Sequence, residues 1–286
     1  MCGPTMQIDQ TIQSLCKLGL DRLDAQMLLL HALHKPTNHR AWILAHGNDE
    51  VPDEAQQRLA DCALRRAQGE PLAYITGHKE FYGLDLQIDA RVLDPRADTE
   101  TLVDWALEAL PADQPVRAID LGTGSGAIAL ALQQQRPHWQ LHALDFSQDA
   151  LDVAGANAAR LQLQIAFRQG AWLQGVQERF HLIVSNPPYI ADNDQHLAAL
   201  RHEPLQALAS GAEGLDDIRT IVSQAPACLE EGGWLLLEHG YDQAPAVRAL
   251  LVASGFSDVQ SRRDLAGIER CSGGRWQPMA TPCDIT

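Results

Sequence analysis

The sequence lacks the features that would mark a membrane, a metal or a phosphate backbone as its partner. No apolar run approaches the roughly 20 residues that span a bilayer. The opening MCGPTMQIDQ has no charged segment followed by an apolar stretch, so it does not read as a signal peptide, and a cytoplasmic protein is expected. The six cysteines, at 2, 16, 62, 228, 271 and 283, include no CxxC pair, and no HExxH occurs among the 11 histidines. Zinc sites depend on such short spacings. The nearest cluster, His31, His34 and His39, falls on or beside an expected helix, so no metal is expected and the thiols read as buried and reduced. Basic runs are also missing: 22 Lys and Arg stand against 37 Asp and Glu, a net charge of −15. A duplex binder needs a basic stripe against the phosphates. Arg65–Arg66 and Arg262–Arg263 read instead as solvated helix ends or strand edges. Neither membrane association nor stable nucleic-acid binding is expected.

What is present suits a globular α/β protein. The 286 residues, 45% of them hydrophobic, allow one large domain and a small companion. Residues 1–78 read as a helical bundle. Ile12, Leu15 and Leu18 share a face, and Ala25, Leu28, Leu29, Ala32 and Leu33 recur at helical spacing. Asn38 is expected to cap a short helix carrying Trp42, and Pro52 to open a longer one at its first position. Residues 79–97 read as a β-hairpin linker, with Asp89-Ala90 at its turn and Arg91-Val92-Leu93 as its returning strand. A helix after Thr99 buries Leu102, Val103, Ala106, Leu107 and Leu110. Residues 98–286 then alternate: strands at 116–121, 139–145, 164–169, 180–185, 233–238, 256–262 and 270–276, with helices near 124–136, 147–161, 215–229 and 243–254. That rhythm predicts a Rossmann-like, mostly parallel sheet with helices on both faces and an antiparallel hairpin at its edge.

Gly122-Thr123-Gly124-Ser125-Gly126 follows the first of these strands directly. Glycines permit positive φ and close approach to a ligand, and nucleotide-type cofactors sit at this carboxyl edge. Asp145 ends the next strand, about twenty residues on, where a carboxylate can accept from ribose hydroxyls. The plainer alternative is a turn aspartate capping the next helix. Ribose contact does not separate a nicotinamide cofactor from S-adenosylmethionine.

The sharpest signal is Asn186-Pro187-Pro188-Tyr189, directly after the apolar strand Leu182-Ile183-Val184-Ser185. An amide or exocyclic nitrogen is a poor nucleophile because its lone pair is delocalised. The Asn186 side-chain oxygen and the Pro187 carbonyl can accept from its N–H bonds. Pro188 stiffens the turn, and Tyr189 can stack on a flat target. Catalysis would then be positioning and preorganised polarity. A bland proline turn at a strand end is the alternative. The glycine loop before it favours the catalytic reading.

The chain resembles the release factor glutamine methyltransferases over nearly its whole length. The matching stretches include Gly69-Glu70-Pro71-Leu72-Ala73-Tyr74-Ile75-Thr76-Gly77, Glu80-Phe81-Tyr82-Gly83-Leu84, Asp120 to Gly126, Ser185 to Ile190, Glu203-Pro204 and Gly232 to Gly240. The resemblance implies a class I methyltransferase domain using S-adenosylmethionine, and N5-methylation of the glutamine in the Gly-Gly-Gln loop of peptide chain release factors. It implies that Gly122, Thr123, Gly124, Ser125, Gly126, Asp145, Trp172 and Asn186 contact the cofactor, with Trp172 against the adenine. It further implies that Asn186, Pro187, Pro188 and Tyr189 hold the substrate, Asn186, Pro187 and Tyr189 being catalytic, and that the helical bundle docks the substrate protein. Glu203 and Glu238 are further candidates for the site.

Three positions depart from the family pattern. Asp94 and Ala97 interrupt its usual Pro-Arg-Pro-x-Thr-Glu segment, which leads to an expectation of a less rigid cover over the cofactor. Ala171 replaces the usual acidic residue before Trp172. Competing readings are an adenine-N6 nucleic-acid methyltransferase, which must reach or flip a base, a ribosomal-protein glutamine methyltransferase, and a non-catalytic cofactor-binding partner.

Overall fold

The computed structural model describes residues 6–278; Cys2 and Cys283 lie outside the described residues. The chain divides into two compact units, Met1–His78 and Lys79–Thr286.

The first unit holds helices α1 (Ile8–Lys17), α2 (Arg22–Ala32), α3 (Arg40–His46), α4 (Asp53–Ala67) and α5 (Leu72–Thr76). Its core gathers Ile8, Ile12, Leu15, Leu28, Leu29 and Leu59, the inward stripes of α1, α2 and α4. Two cap expectations shift by one residue: His39, not Asn38, precedes α3, and Pro52 sits just outside α4, where its fixed φ of −58° still suits the entry. The single turn of α5 was too short to show a period.

The second unit begins with a hairpin of β1 (His78–Phe81) and β2 (Leu84–Gln87). Its turn is Tyr82-Gly83, not Asp89-Ala90, and 91–93 form no strand. Both turn residues have positive φ, 51° and 76°, as a two-residue hairpin turn requires. Tyrosine is an unusual choice there. It is held by its N–H to Glu100 Oε1 (2.9 Å) and its hydroxyl to Asp104 Oδ1 (2.7 Å), partners that local patterning does not reveal. Both come from α6 (Glu100–Ala109), which buries Leu102, Val103, Trp105 and Ala106; Leu107 and Leu110 are only half-buried.

Then come β3 (Arg117–Leu121), α7 (Ala127–Gln135), β4 (Gln140–Asp145), α8 (Gln148–Leu161), β5 (Ala166–Gln169), β6 (Phe180–Ser185), α9 (Asp216–Cys228), β7 (Leu229–Glu238), α10 (Ala244–Ala253), β8 (Phe256–Arg263) and β9 (Glu269–Trp276). The sheet order is β5-β4-β3-β6-β7-β9-β8. All neighbours are parallel except β7–β9 and β8–β9. The expected edge hairpin therefore exists, with β9 inserted beside β7. The strand β7 starts four residues before the apolar run that announces it, across a register irregularity opposite Phe180 and Leu182.

Strand order reverses between β3 and β6, which opens a crevice at their carboxyl ends. Register decides what stands there. Leu121 pairs with Leu144 on one side and Ser185 on the other, and Ser185 pairs with Leu237. The next residue of each strand line, Asp145, Gly122, Asn186 and Glu238, therefore emerges side by side along one edge. Among the described residues no helix is long and apolar enough to cross a membrane, and no three His, Cys, Asp or Glu converge as a metal site. The basic pairs are engaged by acids: Arg65 by Glu70, Arg66 by Asp24, Arg262 by Glu108 and Arg263 by Glu269.

Candidate active site

A cavity of about 310 Å³ opens at that edge, lined by Gly122, Gly124, Asp145, Trp172, Asn186 and Pro188 among others. The glycine loop divides its labour. Gly122 and Gly124 form cavity wall. Thr123, Ser125 and Gly126, assigned to cofactor contact on the resemblance, are not among its lining residues. The Thr123 hydroxyl donates to Asp120 Oδ2 at 2.6 Å. Ser125 gives its carbonyl to Asn157, which also bonds both backbone groups of Gln87 and so ties the hairpin to the loop. Gly126 packs against Leu130 and Ala154.

Asp145 both braces the local turn and borders the cavity. Oδ2 accepts from Gly124 N–H and Oδ1 from Ser147 N–H, each at 2.9 Å, yet the residue also lines the cavity. Burial raises its carboxyl above the ordinary range, and the backbone N–H groups oppose that. Trp172 sits at φ 49°, half-buried, with its indole N–H donating to Asp217 Oδ1 at 3.0 Å. A Cβ on Gly122 would come within 3.3 Å of that indole, so glycine is what lets the ring pack this closely on the loop. Asp217, from the first turn of α9, lines the same cavity. No sequence signal marked it, because 45 residues separate it from Trp172.

Asn186 stands between this cavity and a smaller one of about 70 Å³ walled by Leu93, Arg96, Tyr189 and Leu208. Its Nδ2 donates to Thr99 Oγ1 at 3.2 Å. Its Oδ1 and the Pro187 carbonyl accept no hydrogen bond from the described residues. Two acceptors thus remain on the turn: Asn186 borders both cavities, whereas Pro187 is buried and borders neither. The turn is fixed from behind: Tyr189 O accepts from Gln243 Nε2 (3.0 Å), and Ile190 bridges Ala209. The Tyr189 hydroxyl donates to Glu238 Oε1 at 3.3 Å. Burial and Glu238 together push that phenol far up.

Asp94, expected to loosen its segment, is buried and anchored. Lys79 Nζ lies 3.1 Å from one carboxylate oxygen and Arg96 3.6 Å from the other. Glu203, also buried, accepts the Asp94 N–H at 3.2 Å and Arg96 at 2.5 Å. Ionic ties replace the apolar contact and the proline that the pattern would supply. Ala97 opens a 3-10 turn, Ala97–Thr99, which delivers Thr99 to Asn186.

Glu238 and Asp120 are fully enclosed, and burial pushes each carboxyl up to about 7. Unfolded carboxyls titrate near 4, roughly. The folded state therefore binds more protons than the unfolded one between these values, and stability is lost as pH rises through about 7. Glu238→Gln should melt several degrees above the parent at pH 8, roughly, with the gap closing by about pH 5. Thermal melts at both pH values check this; an equal gap at both removes the electrostatic cause.

Two family matches cover most of the chain: the PrmC N-terminal domain over residues 8–77 and the methyltransferase small domain over residues 99–214. The chain is 46% identical over 268 residues to a release factor glutamine methyltransferase of Coxiella burnetii, covering 93% of this chain and 95% of that one. Among solved structures, a methyltransferase from Pyrococcus furiosus aligns at TM-score 0.54 and 18% identity, over 78% of this chain and 98% of that one. A Thermus thermophilus 16S rRNA N2 G1207 methyltransferase, solved with AdoMet and guanosine, aligns at TM-score 0.52 and 17% identity, over 70% and 50%. These two likenesses are of fold.

Proposed function

The chain belongs to the release factor glutamine methyltransferase family, and from that premise we propose that the glycine-loop cavity and the Asn186–Tyr189 turn form its active site. The enzyme methylates the side-chain nitrogen, N5, of the glutamine in the Gly-Gly-Gln loop of peptide chain release factors. S-adenosylmethionine supplies an electrophilic sulfonium methyl. The cavity suits that cofactor: a glycine turn and an indole share its wall, and the carboxylates of Asp145 and Asp217 suit ribose hydroxyls, an adenine amine and a positive charge. Asp217 supplies an acid on the wall where Ala171 does not.

The observation that carries the substrate assignment is the pair of unengaged acceptors, Asn186 Oδ1 and the Pro187 carbonyl. A primary amide presents two N–H donors. Held by both acceptors, its nitrogen is oriented and its lone pair is less committed to the carbonyl as reaction proceeds. Tyr189, anchored to Glu238, offers its ring face to the flat amide. The smaller cavity sets the aliphatic side chains of Leu93, Ile190 and Leu208 beside it.

The helical unit docks the release factor; its match to the PrmC N-terminal domain supports this. The net charge of −15 supports a protein target over nucleic acid, and a release factor substrate supports a cytoplasmic setting. The test is incubation with a purified release factor and methyl-labelled cofactor, followed by mass mapping. Label on the Gly-Gly-Gln glutamine is expected. Label confined to RNA or to a ribosomal protein would replace this reading.

A further inference from the structure

We propose that Glu203 is a positioning residue for the methyl transfer: it closes a ring of segments around the smaller cavity and so fixes where a target amide lies against the cofactor. This rests on the assignment of Asn186 and the two cavities above. Glu203 lines neither cavity, so its part in the reaction is indirect. Its side chain is nevertheless only 3% exposed. Taking a carboxylate out of water is costly unless charged and hydrogen-bonding partners meet it. Those partners show what the residue holds.

The ring can be followed bond by bond. At one end of the catalytic turn, Asn186 Nδ2 donates to Thr99 Oγ1 at 3.2 Å. The Thr99 N–H donates to the Arg96 carbonyl, also at 3.2 Å. The Arg96 guanidinium donates to Glu203 Oε1 at 2.5 Å, and the Asp94 N–H to Oε2 at 3.2 Å. From Glu203 the chain runs through a 3-10 turn, Leu205–Ala207, closed by the Ala207 N–H on the Pro204 carbonyl at 2.9 Å. The next residue, Leu208, accepts the Ile190 N–H at 2.9 Å, at the other end of the catalytic turn. The circuit is then complete. Arg96, Asn186, Tyr189, Ile190, Ala207 and Leu208, which lie along it, wall the smaller cavity.

Leu93, Asn186 and Ala207 line both cavities, so they form the partition across which the methyl group passes. Leu93 directly precedes Asp94, whose N–H Glu203 holds. Ala207 lies on the segment that Glu203 begins. One carboxylate therefore sets the spacing between these two, and through Arg96 and Thr99 it braces Asn186. The bond from Arg96 to Glu203 joins two charged groups, and charge-assisted bonds are roughly twice as strong as neutral ones. Arg96 also lies 3.6 Å from the Asp94 carboxylate and Lys79 3.1 Å from it, so two cations face two anions. Pro95, with a fixed φ, stands between the donors of Asp94 and Arg96 and limits how far they can part.

The experiment compares Glu203→Gln, Arg96→Met, the double variant and Asn186→Ala in the full chain. In Glu203→Gln one acceptor oxygen becomes an NH2 that faces a donor, so one of the two ties fails. Its kcat should fall roughly 10- to 100-fold, because a small misplacement of reacting groups is costly. Cofactor Kd by calorimetry and KM for the release factor should stay within about threefold. Arg96→Met should lose a similar factor, and the double variant no more than the larger single loss, since all three break the same link. The double variant also leaves no unpaired buried ion, so it carries the kcat test by itself should a single variant fail to fold. With leucine and alanine methyls labelled with carbon-13, the signals of Leu93 and Ala207 should move in each variant, while that of Leu251, buried on α10, stays in place. Parent-like kcat in Glu203→Gln or in the double variant, a loss confined to KM or cofactor Kd, single losses that multiply, or unmoved Leu93 and Ala207 signals would each overturn the role of Glu203. Parent-like turnover in Asn186→Ala would instead overturn the assignment on which that role rests.

Discussion

Replacing Asn186 with alanine should abolish most methyl transfer while leaving cofactor affinity within about tenfold of the parent. The side chain is one of many that line the cavity, with Gly122, Gly124, Asp145, Trp172 and Asp217 among the others. Losing it removes little cofactor contact. It removes one of the two acceptors the turn offers to a target amide. A preorganised polar group of this kind is worth roughly 10²–10³ in kcat, because it acts where charge develops and needs no reorganisation. Single-turnover rates with a release factor substrate, beside calorimetric cofactor Kd, separate the two effects. A variant that binds cofactor weakly but turns over normally at saturation would assign Asn186 to cofactor binding alone.

Gly214→Ala should be nearly as damaging, for a reason that lies outside the motif. Gly214 has φ +68°, and a Cβ there would sit 2.2 Å from the Tyr189 carbonyl oxygen and 2.9 Å from Gln243 Nε2. The first of these is backbone and cannot rotate away. The methyl must displace the catalytic turn or break the Gln243–Tyr189 hydrogen bond that holds it. Left-handed backbone strain adds roughly 1–2 kcal/mol. The combined loss should lower Tm by roughly 5–10 °C, with kcat falling more than cofactor affinity. Gly175→Ala is the control: its φ is +73°, but nothing lies within 4 Å of the added carbon. Equal losses in the two variants would mean that backbone strain alone, and not the contact with Tyr189, is responsible.

Much of this site was legible before any coordinates. The loop Gly122 to Gly126, the acid Asp145 and the turn Asn186 to Tyr189 announce themselves because each is a short segment whose residue types meet local demands: positive φ, a strand-end carboxylate, a stiff bend. Trp172 is marked only by the family resemblance, which also assigns Thr123, Ser125 and Gly126 to the cofactor. Their partners within the protein, Asp120, Asn157 and Ala154, are chosen by packing. The misplaced hairpin turn has the same origin. Tyr82 is a poor turn residue by local preference, and it is held in place by Glu100 and Asp104 on the next helix.

The sequence by itself determined the alternation of strands and helices, the cofactor-type loop and the chemistry of the turn, since backbone periodicity and turn stereochemistry are settled within a few residues. Only the tertiary structure decided which side chains meet. Strand order and register bring Asp145, Gly122, Asn186 and Glu238 to adjacent places, and they bring Thr99 against an amide 87 residues away. Burial then alters the acidity of Glu238, a property that belongs to a carboxyl's surroundings and leaves no mark on the chain around it.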